Sequence, residues 1–118
     1  MAQWLGTPYI YAGNDRSGTD CSGFTQQLYR EVYGIATART AYDMCDETQK
    51  VALNDLREGD MIFFKIKSTQ VSHVGVYLHN GYFVHAVPSQ GVVISQIQEP
   101  YYQKYFFQGG RMPLHQGD

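Results

Sequence analysis

The chain has 118 residues, 43% of them hydrophobic and 17% charged, with a net charge of −2. That length suits one folded domain, the composition argues against a disordered chain, and the absence of a Lys/Arg run argues against a nucleic-acid partner. No apolar run approaches the roughly 20 residues needed to span a bilayer. The start, MAQWLGTPY, lacks a basic segment followed by an apolar stretch, so no signal peptide is expected. The protein then works where it is made, or the chain is a mature or trimmed form. Two cysteines are too few for a disulfide scaffold, though a single bridge between Cys21 and Cys45 stays open. Ten tyrosines and six phenylalanines suit a core of half-buried sheet residues, and also a groove that grips a polar ligand.

Residues 7–20 are rich in Gly, Asn, Asp, Ser and Thr and read as a loop. A helix is predicted next, with Phe24, Leu28 and Val32 recurring at i, i+4 and i+8. Asp20 suits its N-cap and Gly34 its C-terminal stop, which puts Cys21 in the first turn. Residues 40–48 form a short second helix. From Asp60 onward MIFFKI, HVGVYL, YFVHAV and GVVISQI read as strands, with a further strand near FFQGGRM. Helices first and strands afterwards predict an α+β domain with a mostly antiparallel sheet. No repeat, low-complexity segment or linker divides residues 1–118.

Cys21 carries the strongest chemical signal. A thiol attacks as thiolate, and a helix N-terminus offers amides and a partial positive charge that stabilise an anion. The same amides could hold a tetrahedral oxyanion. The alternative is a small buried apolar residue, which is also the reading for Cys45. A nucleophile needs a base, and the base an orienting partner. Of four histidines, His79 beside a turn and His115 in a polar tail are expected in solvent. His73 and His85 interrupt strands, as satisfied polar residues or as catalytic ones.

Hairpin register distinguishes these two readings. A two-residue Asn80-Gly81 loop puts His85 opposite Val76, and the two rings then point to opposite sides of the sheet. A three-residue loop, His79-Asn80-Gly81, pairs Leu78 with Tyr82 and places His85 opposite Gly75. Both rings then share one face, with bare Gly75 leaving room. The other face gathers Val74, Val76, Leu78, Val84 and Ala86. Gly81 also suits the left-handed position of such a loop. The three-residue loop is therefore predicted, with His73 as base and His85 fixing its tautomer and orientation.

With these residues located, the chain resembles the NlpC/P60 family of papain-like cysteine peptidases. GTPYIYAG, DCSGF, GIATART, LREGDMIFF, SHVGVYLHNGYFVHA and GGR occur in the family's order and span residues 6–111. The resemblance implies a papain-like fold with N-terminal helices packed on the sheet, and a triad of Cys21, His73 and His85. It implies a cysteine endopeptidase that cuts peptidoglycan stem peptides between D-γ-glutamate and a diamino acid, through a thioester, in the cell envelope or outside the cell. Tyr9 matches a tyrosine beside the nucleophile, an oxyanion or substrate donor or else a packing residue. Asp20 and Ser22 match residues that help bind a free N-terminal amine, with helix capping as the alternative. Arg39 matches an arginine that could pair with a substrate carboxylate or form a structural ion pair.

Departures from the family pattern are Ala12 for glycine, Ala38 and Glu58 for prolines, and Ala41 for a serine near the peptide-binding segment. No metal or organic cofactor is called for, because one Cys and two His make a poor zinc site. A monomer is expected. An amidase or acyltransferase using the same triad, and a non-catalytic wall-binding domain, are the competing functional readings.

Overall fold

The computed structural model describes residues 2–113, so His115 lies outside the described residues. Strands β1 (Asn14–Asp15) and β2 (Gly18–Thr19) form a small ribbon before helix α1 (Cys21–Tyr33). Helix α2 (Ala41–Glu47) and strand β3 (Gln49–Val51) follow, then β4 (Met61–Phe64), β5 (His73–Tyr77), β6 (Tyr82–Val87) and β7 (Gly91–Gln96). Helix α3 (Pro100–Tyr105) leads into β8 (Phe106–Arg111). The main sheet has six strands in the order β3-β8-β4-β5-β6-β7, every neighbouring pair antiparallel.

Helix α1 starts where Asp20 accepts the Gly23 N–H at 2.7 Å and ends at Gly34, whose φ of 67° needs no Cβ relief. Thr40 caps α2 by accepting the Asp43 N–H at 3.1 Å. The face of α1 that meets the sheet carries Cys21, Phe24, Thr25, Leu28 and Tyr29. Val32 departs from its predicted burial, with 56% of its surface exposed. It lies on the same stripe, but in the last turn, where it lines a shallow cavity with Tyr33 and Glu58 rather than the core.

Alternation along the strands divides the sheet into two faces. Met61, Phe63, Val74, Val76, Val84 and Ala86 pack with α1 and α2 in the larger core. Leu78 is only partly buried against it. Ile62, Phe64 and Phe83 pack on the other face, against Tyr102, Tyr105 and Phe106. Phe63 and Phe64 are adjacent and both fully buried on opposite faces; each such ring contributes roughly 1.5–3 kcal/mol.

A half-buried ion pair ties the start of β4 to the end of β8. Arg111 donates Nε to Asp60 Oδ1 at 2.9 Å and Nη2 to Oδ2 at 2.8 Å, while Asp60 also accepts the Arg57 N–H at 2.8 Å. This fork joins the GD of LREGDMIFF to the closing GGR, so two matching motifs far apart in sequence serve one structural purpose.

Candidate active site

The β5–β6 hairpin has the predicted register, reached by a variation on the predicted loop. Val76 pairs with Val84 and Tyr77 with Phe83, which carries His85 opposite Gly75. Asn80 and Gly81 both have positive φ, 53° and 86°, as a mirror-image two-residue turn requires. The turn closes with Tyr82 N–H to His79 O at 2.9 Å, while Leu78 N–H also reaches Tyr82 O, at 2.8 Å. Leu78 and His79 thus both oppose Tyr82. This bulge absorbs His79, so that a two-residue turn still keeps His85 on the face of His73.

The two rings meet there. His73 Nε2 and His85 Nδ1 are 2.7 Å apart, and His85 Nε2 is 2.9 Å from Ser95 Oγ. Gly75 makes the approach possible, since a Cβ there would stand 2.8 Å from the Phe83 ring and 3.2 Å from His85 Cβ. His85 is fully buried and His73 is 8% exposed. Burial lowers the pKa of both imidazoles, and the neighbouring His73 lowers that of His85 further. Both are therefore neutral at neutral pH, and Nδ1 of His73 is the ring nitrogen left to take a proton.

Cys21 approaches from the α1 side. Among the first helical amides, Gly23 N–H is taken by the Asp20 side chain and Phe24 N–H by the Asp20 carbonyl. The backbone amide of Val74 in β5, and those of Ser22 and Cys21 at the helix start, act on the thiol instead. All three lower the thiol pKa, the two helix-start amides as the placement of Cys21 predicts and Val74 from a strand that the prediction did not include. Burial outweighs them, with the Asp20 charge adding to it, so the net shift is upward. Thiol and imidazole each favour the neutral form. Cys45 is also a free thiol, pushed up mainly by burial, and accepts a hydrogen bond from Gln108. Neither cysteine is in a disulfide. His79 is exposed, as predicted.

Cys21, Tyr9 and Ser72 stand between two lobes of a groove. The larger, about 760 Å³, is lined by His73, Ser95, Tyr101 and Tyr102; the smaller, about 370 Å³, by Asp20, Ser22, Arg39 and Tyr42. Burial and the nearby Cys21 and Asp20 raise the Tyr9 pKa, so its phenol keeps a proton to donate.

Asp20, Ser22 and Arg39 are joined to one another. Arg39 Nη1 donates to Asp20 Oδ1 at 3.1 Å and to Ser22 Oγ at 2.8 Å. Its Nη2 reaches Asp20 Oδ2 and the Gly13 carbonyl, both at 3.3 Å. Asp20 Oδ2 also accepts the Ala12 N–H at 2.9 Å. The carboxylate is at once helix cap, loop clasp and ion-pair partner. Ser95 and Tyr102 were not singled out from sequence. Ser95 sits diagonally across from His85, because Phe83 pairs with Ser95 and His85 with Val93.

An antiparallel sheet flanked by helices, with a helix-start cysteine and a paired histidine couple in one groove, defines a papain-like α+β domain. The NlpC/P60 family profile matches residues 6–111, and the chain belongs to that family. It is 40% identical over 111 residues to the murein DD-endopeptidase MepS/murein LD-carboxypeptidase of Escherichia coli strain K12, an alignment covering 94% of this chain and 58% of that protein. It is 34% identical to the gamma-DL-glutamyl hydrolase of Bacillus subtilis strain 168, covering 86% of this chain and 25% of that one. A crystal structure of a Bacillus cereus ATCC 10987 NlpC/P60 protein superposes with a TM-score of 0.86 at 33% identity, covering 95% of this chain and 37% of the other. The chain thus spans a little over half the length of the first of these relatives. Among the described residues no helix is long and apolar enough to cross a membrane.

Proposed function

We propose that the protein is a cysteine endopeptidase of peptidoglycan stem peptides, cutting between D-γ-glutamate and a diamino acid. One observation carries this reading: Cys21 at a helix start shares a groove with a histidine whose outer nitrogen is held 2.7 Å from a second, fully buried histidine. As Cys21 Sγ attacks the γ-carbonyl carbon, His73 Nδ1 takes the thiol proton. The oxyanion is met by the backbone N–H at the start of α1 and by the Tyr9 phenol. The intermediate collapses to a thioester as His73 returns its proton to the leaving amine. Water, deprotonated by His73, then releases the carboxylate and the free thiol.

Arg39, Asp20 and Ser22 serve the smaller lobe as a joined unit, so neither a substrate amine nor a carboxylate meets an isolated countercharge there. The enzyme works as a monomer, in the cell envelope or outside the cell, in keeping with the murein and glutamyl hydrolases among its relatives. Those two relatives bear names that point to different bonds, so the test offers both. Purified cross-linked and uncross-linked stem peptides are incubated with the wild type and with Cys21→Ala, and products are identified by mass spectrometry. A new diamino acid N-terminus, absent with Cys21→Ala, is the expected result. Cleavage only at the cross-link would move the assignment to the D,D bond. Covalent labelling of Cys21 without hydrolysis would favour an amidase or acyltransferase acting on another substrate.

A further inference from the structure

The triad read from sequence ends at His85, but the hydrogen-bonded chain does not. His85 is fully buried and both of its ring nitrogens are engaged, Nδ1 by His73 and Nε2 by Ser95 at 2.9 Å. Ser95 comes from β7, an edge strand of the sheet, and lines the groove together with Tyr102 of α3. The Tyr102 ring packs against His85 edge-on, with centroids 5.4 Å apart.

A neutral imidazole carries one donor and one acceptor nitrogen. His73 can take the thiol proton at Nδ1 only while its own proton is on Nε2. That proton then points at His85 Nδ1, which must be an acceptor, so the His85 proton lies on Nε2. His85 itself is fully buried, so this second N–H needs an acceptor of its own, and Oγ of the half-buried Ser95 is the atom beside it. The reverse arrangement, with a proton on His85 Nδ1, forces a proton onto His73 Nδ1 and blocks the base. A hydroxyl can serve either arrangement; a methyl group serves neither, and it leaves the competent one with an orphaned N–H donor where the reverse leaves only an unpaired acceptor nitrogen.

We infer that Ser95 is a positioning residue, a fourth member of the hydrogen-bonded chain that holds His85 in the tautomer His73 needs. The inference rests on the Cys21–His73 chemistry proposed above. It also explains how a neutral histidine fills the orienting role without a carboxylate's charge: its far nitrogen is anchored by a hydroxyl.

The test compares wild type, Ser95→Ala and Ser95→Thr by long-range ¹H–¹⁵N correlation of the histidine rings and by stem-peptide kinetics. In wild type and Ser95→Thr, His85 is expected protonated at Nε2 and His73 at Nε2. In Ser95→Ala, the His85 proton moves to Nδ1, kcat falls about tenfold or more, short of the loss on removing the base itself, and KM stays unchanged. Ser95→Thr restores the rate. Unchanged tautomers and kcat in Ser95→Ala would overturn the inference, as would an equal loss in both variants, which would mark Ser95 as a packing residue. If wild type cleaves no stem peptide, the functional reading fails, while the ring spectra still decide whether Ser95 sets the His85 tautomer.

Discussion

Asp20 shows how much one side chain can organise. It caps α1, clasps the loop at Ala12 and holds Arg39, and each of these contacts fixes the backbone that presents Cys21. Gly75 does the corresponding service for the histidines by having no side chain. In Gly75→Ala, the new methyl would lie within 3 Å of the Phe83 ring, which is fully buried and has nowhere to turn. We expect a stability loss of about 1–3 kcal/mol, measured by urea unfolding, and a larger proportional loss of activity, because His85 is pushed off His73. The proposed role of His73 as base can be checked through Cys21. Burial holds the thiol in its neutral form, so iodoacetamide should alkylate Cys21 far more slowly at pH 7 in His73→Ala than in the wild type. Equal rates would mean that His73 does not activate the thiol.

At the level of elements, the β5–β6 hairpin is the decisive piece. Sequence reasoning obtained its register by asking which loop length puts the apolar residues on one face and both histidines on the other, and the strand pairing agrees. It could not distinguish a three-residue loop from a two-residue turn preceded by a bulge, because both give the same register. The distinction has a consequence. Since Leu78 and His79 share one partner, deleting His79 removes the bulge and leaves His85 opposite Gly75. Such a deletion should retain stem-peptide cleavage, and loss of cleavage with the fold intact would show that the bulge itself aims the ring. Helix α3 was missed where a signal existed: Pro100 follows Glu99 and opens a six-residue helix at its first turn. The β1–β2 ribbon had no comparable signal, since two-residue strands show no alternation and are held by backbone pairing and the Asp15–Ser17 turn.

Across the whole molecule, helices cover both faces of the sheet, and the histidine pair lies on the face shared with α3. Burying two imidazoles there links stability to pH. Each folded-state pKa lies below the ordinary value of 6.5, so below that pH the unfolded chain binds more protons than the folded one. Their contribution is therefore present above pH 6.5 and is lost as pH falls toward the folded values. The slope is at most about 1.4 kcal/mol per pH unit for each histidine. Denaturant midpoints measured from pH 7 to pH 5 should fall, and His85→Gln should flatten the decline. A flat wild-type profile would place the rings in contact with solvent.

The helix that begins at Cys21, the α+β order, the hairpin register and the identity of the paired histidines are legible in the residues alone. Each follows from local chemistry: a capping aspartate, a period of 3.6 or 2, and a turn whose residues accept positive φ. Tertiary packing alone settles that Val32 emerges past the core, that Arg39 is joined to Asp20 and Ser22, that Ser95 continues the chain beyond His85, and that the Tyr102 ring packs on His85. These depend on which residues from distant segments meet, and on how burial weighs against hydrogen bonding once they do. The Cys21 thiol makes the point: its helix-start amides act as the sequence suggests, yet the depth at which the fold places it sets the sign of the shift.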